Sequence, residues 1–429
     1  MKIISAVSDI EKVSYLAENY QNFQLVTFED QKTKPIPKNW SVYFLKNTLH
    51  NATLDLILNP KFKAIIKRCG AKHLYVFKNS RLIEERAKGL GLKLLTPKAE
   101  LIERIESKVS QVDFFAQLKR HFPGFIITRP CKISYQKLSR KLGERLIAQF
   151  NLSHSGLGTF KLNKKLWQEW KNKFPMREVR VSQFVKGQTL TINLVVLPGK
   201  AVLGQPSVQL TGARELTHQE FSTVGNAWVK FSAGLKRKIL SLSQKVARVL
   251  RENNFFGPAG IDFLWSGKKL YLLEINARQP ASLNLESWLT KLNFHSTFKQ
   301  PSTLFDCLIN FWQRANFNPE TAEKKKVISG GQVVLRATQK WHGILKQVPE
   351  TGIYSFENGK IVYKKRKAFL ESKTQFLVHA CPKQRRVLPG QEILKIQTAK
   401  DFINKDLSFS QEMRELIKYF KRKIKFERK

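Results

Sequence analysis

Two strand-like segments stand back to back near the middle of the chain. The first reads Gly257-Pro258-Ala259-Gly260-Ile261-Asp262-Phe263-Leu264-Trp265 and the second Leu270-Tyr271-Leu272-Leu273-Glu274-Ile275-Asn276-Ala277-Arg278. The short link through Ser266-Gly267-Lys268 predicts a tight antiparallel hairpin. Along the second segment Glu274, Asn276 and Arg278 alternate with Leu273, Ile275 and Ala277, so the three polar groups share one face. Pairing across the hairpin brings Asp262 alongside Glu274. Two carboxylates and an amide carbonyl so placed are hard oxygen ligands of the kind Mg²⁺ takes, with water and phosphate oxygens completing its shell. Arg278 beside them offers a planar fork to a carboxylate or phosphoryl oxygen. The competing reading is a solvated strand face, and the apolar run Leu-Tyr-Leu-Leu inside the strand argues against it.

The first hundred residues alternate apolar runs with helical patterns. Ile3-Ile4, Phe23 to Phe28, Val42 to Leu45 and His73 to Phe77 read as strands, and residues 53–68 as helix. Strands spaced by helices predict a small parallel sheet. No G-x-G-x-x-G follows the first strand, which disfavours a dinucleotide-binding turn. Beyond Thr96-Pro97-Lys98 come helical stretches at 99–105 and 109–121, then alternating segments at 125–128, 145–150, 160–162, 179–185 and 190–196. That is the pattern of a small antiparallel sheet with short helices between its strands. A long helix over 231–253 precedes the hairpin, and a β-rich stretch at 333–396 follows Lys324-Lys325-Lys326. Residues 411–429 read as a basic helical tail. The chain is therefore expected to be an α/β and α+β multidomain protein. Its expected parts are an N-terminal α/β domain (1–107), a central domain (108–320) with a subdomain at 125–186, a β-rich C-terminal module (327–398) and the tail (399–429).

Two weaker signals lie upstream of the hairpin. Asn151-Leu152-Ser153-His154-Ser155-Gly156-Leu157-Gly158-Thr159 joins two strands, and its small residues could let successive N–H groups cradle an anion. An ordinary hairpin loop has the same look. Ser182-Gln183-Phe184-Val185-Lys186-Gly187 is a strand ending at glycine, which could equally be a plain sheet edge.

Taken in order, these three segments resemble the ATP-grasp superfamily, in its carboxylate–amine ligase branch, over roughly residues 95–282. The resemblance implies an ATP-grasp fold preceded by the superfamily's usual small parallel α/β domain. Carried over by position, it implies that Asp262, Glu274 and Asn276 hold magnesium, with manganese as the alternative, against the phosphates of ATP. It implies that Lys108 reaches those phosphates and that Arg278 faces the substrate or the acyl phosphate. Ser155, Gly156 and Gly158 fall in the phosphate lid, Ser182, Gln183 and Val185 in the adenine hinge, and Leu264 with the nucleotide-binding set. Three departures accompany the match. A phosphate-binding lysine of the family is replaced by Gln149, whose amide carries no charge. The hinge opens Ser182-Gln183 where the family has Glu-Lys. After Arg278 the chain reads Gln279-Pro280-Ala281-Ser282, without the glutamate that biotin carboxylases use for bicarbonate.

The implied function is an ATP-dependent ligase that joins a carboxylate-bearing small molecule or peptide to an amine acceptor. A competing class comes from charge: 76 Lys and Arg against 33 Asp and Glu give +43 over 429 residues. Such an excess suits a polyanion, so a nucleic-acid-binding protein on a degenerate ATP-grasp scaffold is the alternative. Its strongest runs are Lys364 to Lys367, Arg385-Arg386 and the tail. No helix-turn-helix, zinc-finger or RNA-recognition signature accompanies them. The tail's Ile417, Phe420, Ile424 and Phe426, interleaved with Lys and Arg, fit either attachment to an anionic membrane surface or docking on the protein itself. Four widely spaced cysteines favour reduced thiols over two disulfides. The short apolar start at Met1 and the lack of a long apolar run set the expectation of a cytoplasmic protein.

Overall fold

Apolar runs flanked by helices in the N-terminal hundred residues assemble into a five-stranded parallel sheet. Its order is Ser41–Leu45, Phe23–Phe28, Ile3–Ala6, His73–Val76 and Lys93–Leu94. The central strand Ile3–Ala6 is buried throughout, as a parallel strand covered on both faces must be. The computed structural model describes residues 1–48, 50, 52–151, 158–294, 302–314 and 327–428. The helix expected over 53–68 splits into Thr53–Leu58 and Pro60–Cys69. Asn59 caps the second piece by accepting the Lys61 N–H, and Pro60 sits at its first turn, where its missing donor costs nothing.

Residues 125–183 build a separate four-stranded antiparallel sheet in the order Phe125–Thr128, Val179–Gln183, Leu146–Phe150 and Thr159–Leu162. Helices Tyr135–Leu142 and Lys164–Lys173 cover it. Leu138, Leu146, Ala148, Leu162, Trp167, Trp170, Val179 and Val181 give this subdomain its own core.

The third sheet has eleven strands. Ten run in the order Leu270–Asn276, Gly257–Trp265, Gln188–Val196, Ser207–Thr211, Thr223–Trp228, Gly330–Arg336, Glu392–Thr398, Phe376–Ala380, Gly352–Glu357 and Lys360–Lys365, and Ala201–Leu203 pairs with Gln188–Val196. The β-rich C-terminal stretch thus continues the central sheet through the antiparallel pair Thr223–Trp228 and Gly330–Arg336. Glycine makes that junction close. A Cβ on Gly225 would lie 2.1 Å from the Gln332 carbonyl oxygen, and one on Gly331 2.0 Å from that of Asn226. The long helix Ala233–Glu252, capped by Ser232 on the Leu235 N–H, buries Ile239, Leu240, Leu242, Val246, Val249 and Leu250 at its 3.6-residue period.

The tail departs from expectation. Its helix spans Gln411–Arg422 and ends there, and Lys425–Arg428 forms a strand paired with Gly343–Gln347. Met413, Leu416, Ile417 and Phe420 are buried in the main core, so the apolar face is docked on the protein itself. Among the described residues no helix is long and apolar enough to cross a membrane. The basic run at 364–367 is largely occupied: Lys364 pairs with Glu357, Lys365 and Lys367 with Glu371, and Arg366 donates to the carbonyls of Lys32, Thr33 and Lys34. All four cysteines are free thiols. The buried ion pair Lys395–Glu11 (2.6 Å) and the partly buried pair Lys34–Asp9 (2.5 Å) lie where the turn at Ile10–Val13 meets the strand Glu392–Thr398.

Candidate active site

The hairpin forms as its alternation predicts, with Asp262 opposite Glu274 and Gly260 opposite Asn276. The register slips between Asp262 and Phe263, a bulge of the kind that re-aims a side chain beside a site. Asn276 Nδ2 donates to Asp262 Oδ2 at 3.1 Å, and Gln209 Nε2 donates to Asp262 Oδ1 at 3.3 Å. Glu274 pairs with the ammonium of Lys108, which is almost wholly buried. Lys108 is fixed by its backbone. It follows the helix Ala99–Glu106, its N–H donates to the Asn151 carbonyl at 3.1 Å, and Ser107 Oγ donates to Asn151 Oδ1 at 2.6 Å.

Arg278 Nη1 donates to Asn276 Oδ1 at 3.0 Å and also pairs with Glu106. The other Glu106 oxygen takes Lys78 at 2.6 Å. Glu106 is therefore the residue that orients Arg278, and the sequence pattern did not single it out, since 172 positions separate the two. Burial alone would raise the Glu106 carboxyl, but Arg278 and Lys78 outweigh it and hold it below its ordinary value. Asp262 goes the other way. Burial first, then the neighbouring Glu274 charge, push its carboxyl up to about 6 despite hydrogen bonds from Thr191 and Asn276.

Lys108, Gln209, Asp262, Glu274, Asn276 and Arg278 line a cavity of about 780 Å³, and Glu106 and Lys78 stand outside its lining. Phe122, Phe125, Ile147, Phe184, Val185 and Leu264 make an apolar section where the small sheet meets the hairpin. Gln149, Arg180, Ser182 and Gln183 also line it, so the structure brings most of the expected site residues to one place. The Gln183 N–H donates to the Gly124 carbonyl at 2.8 Å, so that amide is already committed within the small sheet. Ser155 and Gly156 lie outside the described residues. Gly158 is described, and its carbonyl accepts the Phe150 N–H at 3.1 Å. Of the polar residues between positions 190 and 214 that could face the cavity, Gln209 lines it. Asn193 does not: it is buried and donates to Glu286 at 2.6 Å and Ser282 at 3.1 Å. Arg214 is exposed and also outside the lining. Across the sheet the cavity continues to Asn226, Gln332, Arg336 and Lys395 on the C-terminal strands.

Arg180 is a second residue that sequence reasoning missed. It sits in the strand Val179–Gln183 directly opposite Gln149. Its Nε and Nη2 donate to Gln149 Oε1 at 3.1 and 2.6 Å, and Nη2 also reaches the Leu273 carbonyl at 3.3 Å.

The donor set suits a hard divalent cation. Among the described residues no three His, Cys, Asp or Glu side chains are grouped to hold a metal. The hairpin supplies two carboxylates and an amide oxygen, a set that Mg²⁺ completes with water and ligand phosphate oxygens.

Residues 106–282 match a family model described as an ATP-grasp domain. Solved structures similar to the chain include a biotin carboxylase from Campylobacter jejuni in complex with β,γ-ATP, at 13% identity, TM-score 0.65, covering 100% of this chain and 92% of that one. Another is the phosphoribosylamine–glycine ligase of Thermotoga maritima, at 14% identity and TM-score 0.61, covering 100% and 98%. A third is the Rhizobium etli pyruvate carboxylase, at 12% identity and TM-score 0.64; 99% of this chain is covered, and it spans 37% of that enzyme's length. At these identities the likeness is one of fold. No curated protein sequence matches the chain.

Proposed function

We propose that this chain, which has the ATP-grasp fold, is an ATP-dependent ligase that activates a carboxylate as an acyl phosphate and joins it to an amine. The observation that carries this reading is the set Lys108, Glu274, Asp262, Asn276 and Arg278 in one cavity beside an apolar section, with Glu106 holding Arg278 from behind the lining. The apolar side chains take the base, and the Gln183 carbonyl with the Val185 backbone meets its edge. Asp262, Glu274 and Asn276 would hold Mg²⁺, or Mn²⁺, which supplies charge neutralisation at the phosphates.

The chain's own groups account for the rest. Lys108 places a buried positive charge beside the phosphate oxygens, where low dielectric strengthens it. Arg278, steadied by Glu106 and Asn276, orients the acid. A carboxylate oxygen attacks the γ-phosphorus as the bond to the ADP oxygen breaks. The amine then attacks the acyl carbon, inorganic phosphate leaves, and the amine proton passes to solvent. Positioning and fixed charge carry most of such a rate.

An organic acid fits better than bicarbonate. Gln279, next after Arg278, is turned into the protein: its Oε1 accepts from Tyr75 at 2.6 Å and its Nε2 donates to the Lys12 carbonyl at 2.7 Å. No carboxylate stands anywhere in the stretch Gln279-Pro280-Ala281-Ser282 that follows Arg278. The test is ADP release across a panel of acids crossed with amines, in Mg²⁺ and ATP. Glu274→Gln should abolish ADP formation while leaving the melting curve cooperative, and near-normal turnover in that variant would sink the metal assignment.

A further inference from the structure

We infer that Arg180 is a phosphate-binding cation of this site and that Gln149 serves as its anchor. The inference rests on the reading that the cavity takes ATP and names a residue that does part of the holding. Arg180 is 5% exposed and yet lines the cavity. Its hydrogen-bond partners are the Gln149 amide oxygen and the Leu273 carbonyl, both neutral. Its Nη1 is buried with no acceptor among the described residues. Two cations beside the carboxylates of the hairpin are matched within the protein, Lys108 to Glu274 and Arg278 to Glu106. A buried guanidinium with only neutral acceptors is costly, because burying a charge is tolerated when an opposite charge meets it. The Glu274 carboxylate acts on Arg180 through space but is bonded to Lys108, so the directly bonded anion is supplied by the ligand.

The placement says which anion. Arg180 lies against the Leu273 carbonyl, one residue before Glu274. An anion held there also lies beside the carboxylates that would hold the divalent cation, which is where a nucleotide's phosphates run. Gln149 fits the anchoring role on both ends of its amide. Its oxygen accepts twice from Arg180, and its Nε2 donates to Thr159 Oγ1 at 3.2 Å. The positive charge absent from position 149 is thus present at position 180 on the adjoining strand, presented as a fork with a free donor.

Calorimetric titration of the full chain with MgADP and, separately, with adenosine tests this. Arg180→Met should weaken MgADP binding about ten- to a hundredfold, the worth of a charge-assisted hydrogen bond, and leave adenosine affinity unchanged. Adding Gln149→Lys to Arg180→Met should restore part of the MgADP affinity. A parallel fall for both ligands would assign Arg180 a merely structural role, and undiminished MgADP binding would overturn the inference outright. Should Arg180→Met fail to fold, Gln149→Leu removes the anchor and keeps the charge; it should weaken MgADP severalfold, and an unchanged value refutes the anchoring. Wild-type protein that binds neither ligand would refute the ATP reading itself, a different result from any of these.

Discussion

Glu106→Gln removes one charge from a side chain that is 6% exposed and sits between Lys78 and Arg278. Removing one member of a buried ion pair typically costs about 3–5 kcal/mol, because the partner stays behind uncompensated. Two facts reduce that here. Lys78 and Arg278 are 37% and 21% exposed, so water screens the orphaned cations, and glutamine keeps one oxygen to accept from one of them. We expect a loss of about 1–3 kcal/mol at pH 7, read by urea unfolding. The pH dependence follows from the lowered native value. The pair's contribution is complete above the ordinary carboxyl value of 4.5 and is lost as pH falls through the lower native one. The gap between wild type and variant should therefore close in acid, below pH of about 4. A double-mutant cycle with Arg278→Met should give a coupling of about 1 kcal/mol or more. No gap at pH 7, a gap that persists undiminished in acid, or additivity within about 0.5 kcal/mol in the cycle would refute the ion-pair account. Turnover should fall with it, through kcat more than KM, since Arg278 is left bound but unaimed.

Two further outcomes concern the rest of the molecule. Phe420 is fully buried, its ring 5.0 Å from that of Tyr354; Phe420→Ala should cost about 3–5 kcal/mol, while the wild type should not co-sediment with anionic vesicles, and tail-dependent sedimentation would contradict the docked helix. His379 is buried with both ring nitrogens unpartnered among the described residues, and burial, aided by Lys34 and Lys395 against Glu11, pushes it down to about 4 from 6.5. The unfolded chain then binds the proton first, so stability should drop by up to about 3 kcal/mol as pH falls across that interval, and His379→Phe should flatten the drop; an unchanged slope counts against it.

The hairpin could be read from the chain because its alternation is local: each polar residue's face follows from the period of two, and the turn sets the pairing. The parallel sheet was readable for the same reason, with its apolar runs set between helical patterns. What escaped were groups whose role comes from distant partners. Arg180 interrupts the apolar strand Val179–Gln183 as one of 76 basic residues, and nothing local distinguishes it from a solvated arginine. Glu106 ends an amphipathic helix, where an acid is ordinary, and it gains meaning only against Arg278 and Lys78. Asn193 has the right parity to face the cavity, yet the helix Leu283–Asn293 brings Glu286 over it and seals it. In the tail, Lys425–Arg428 looks like more basic helix until the pairing with Gly343–Gln347 supplies the missing ladder. Gln149 reads in the sequence as a position without charge, and the arginine bonded to it lies on the neighbouring strand, 31 residues away.

The junction between Thr223–Trp228 and Gly330–Arg336 bears on how this protein can be divided. Cut away from residue 327 onward, the ATP-grasp portion would leave Thr223–Trp228 as an edge strand with a row of open backbone donors and acceptors. Gly225 offers no side chain to guard that edge, and Trp228, now buried against Ile328, Ile353 and Leu377, would stand in water. Such a fragment is built to recruit another strand, so it should self-associate or aggregate rather than behave as an independent domain. The strand Gly330–Arg336 and those beyond it therefore act as a built-in cap, and the boundary a sequence map would draw at residue 327 falls across a continuous ladder of hydrogen bonds.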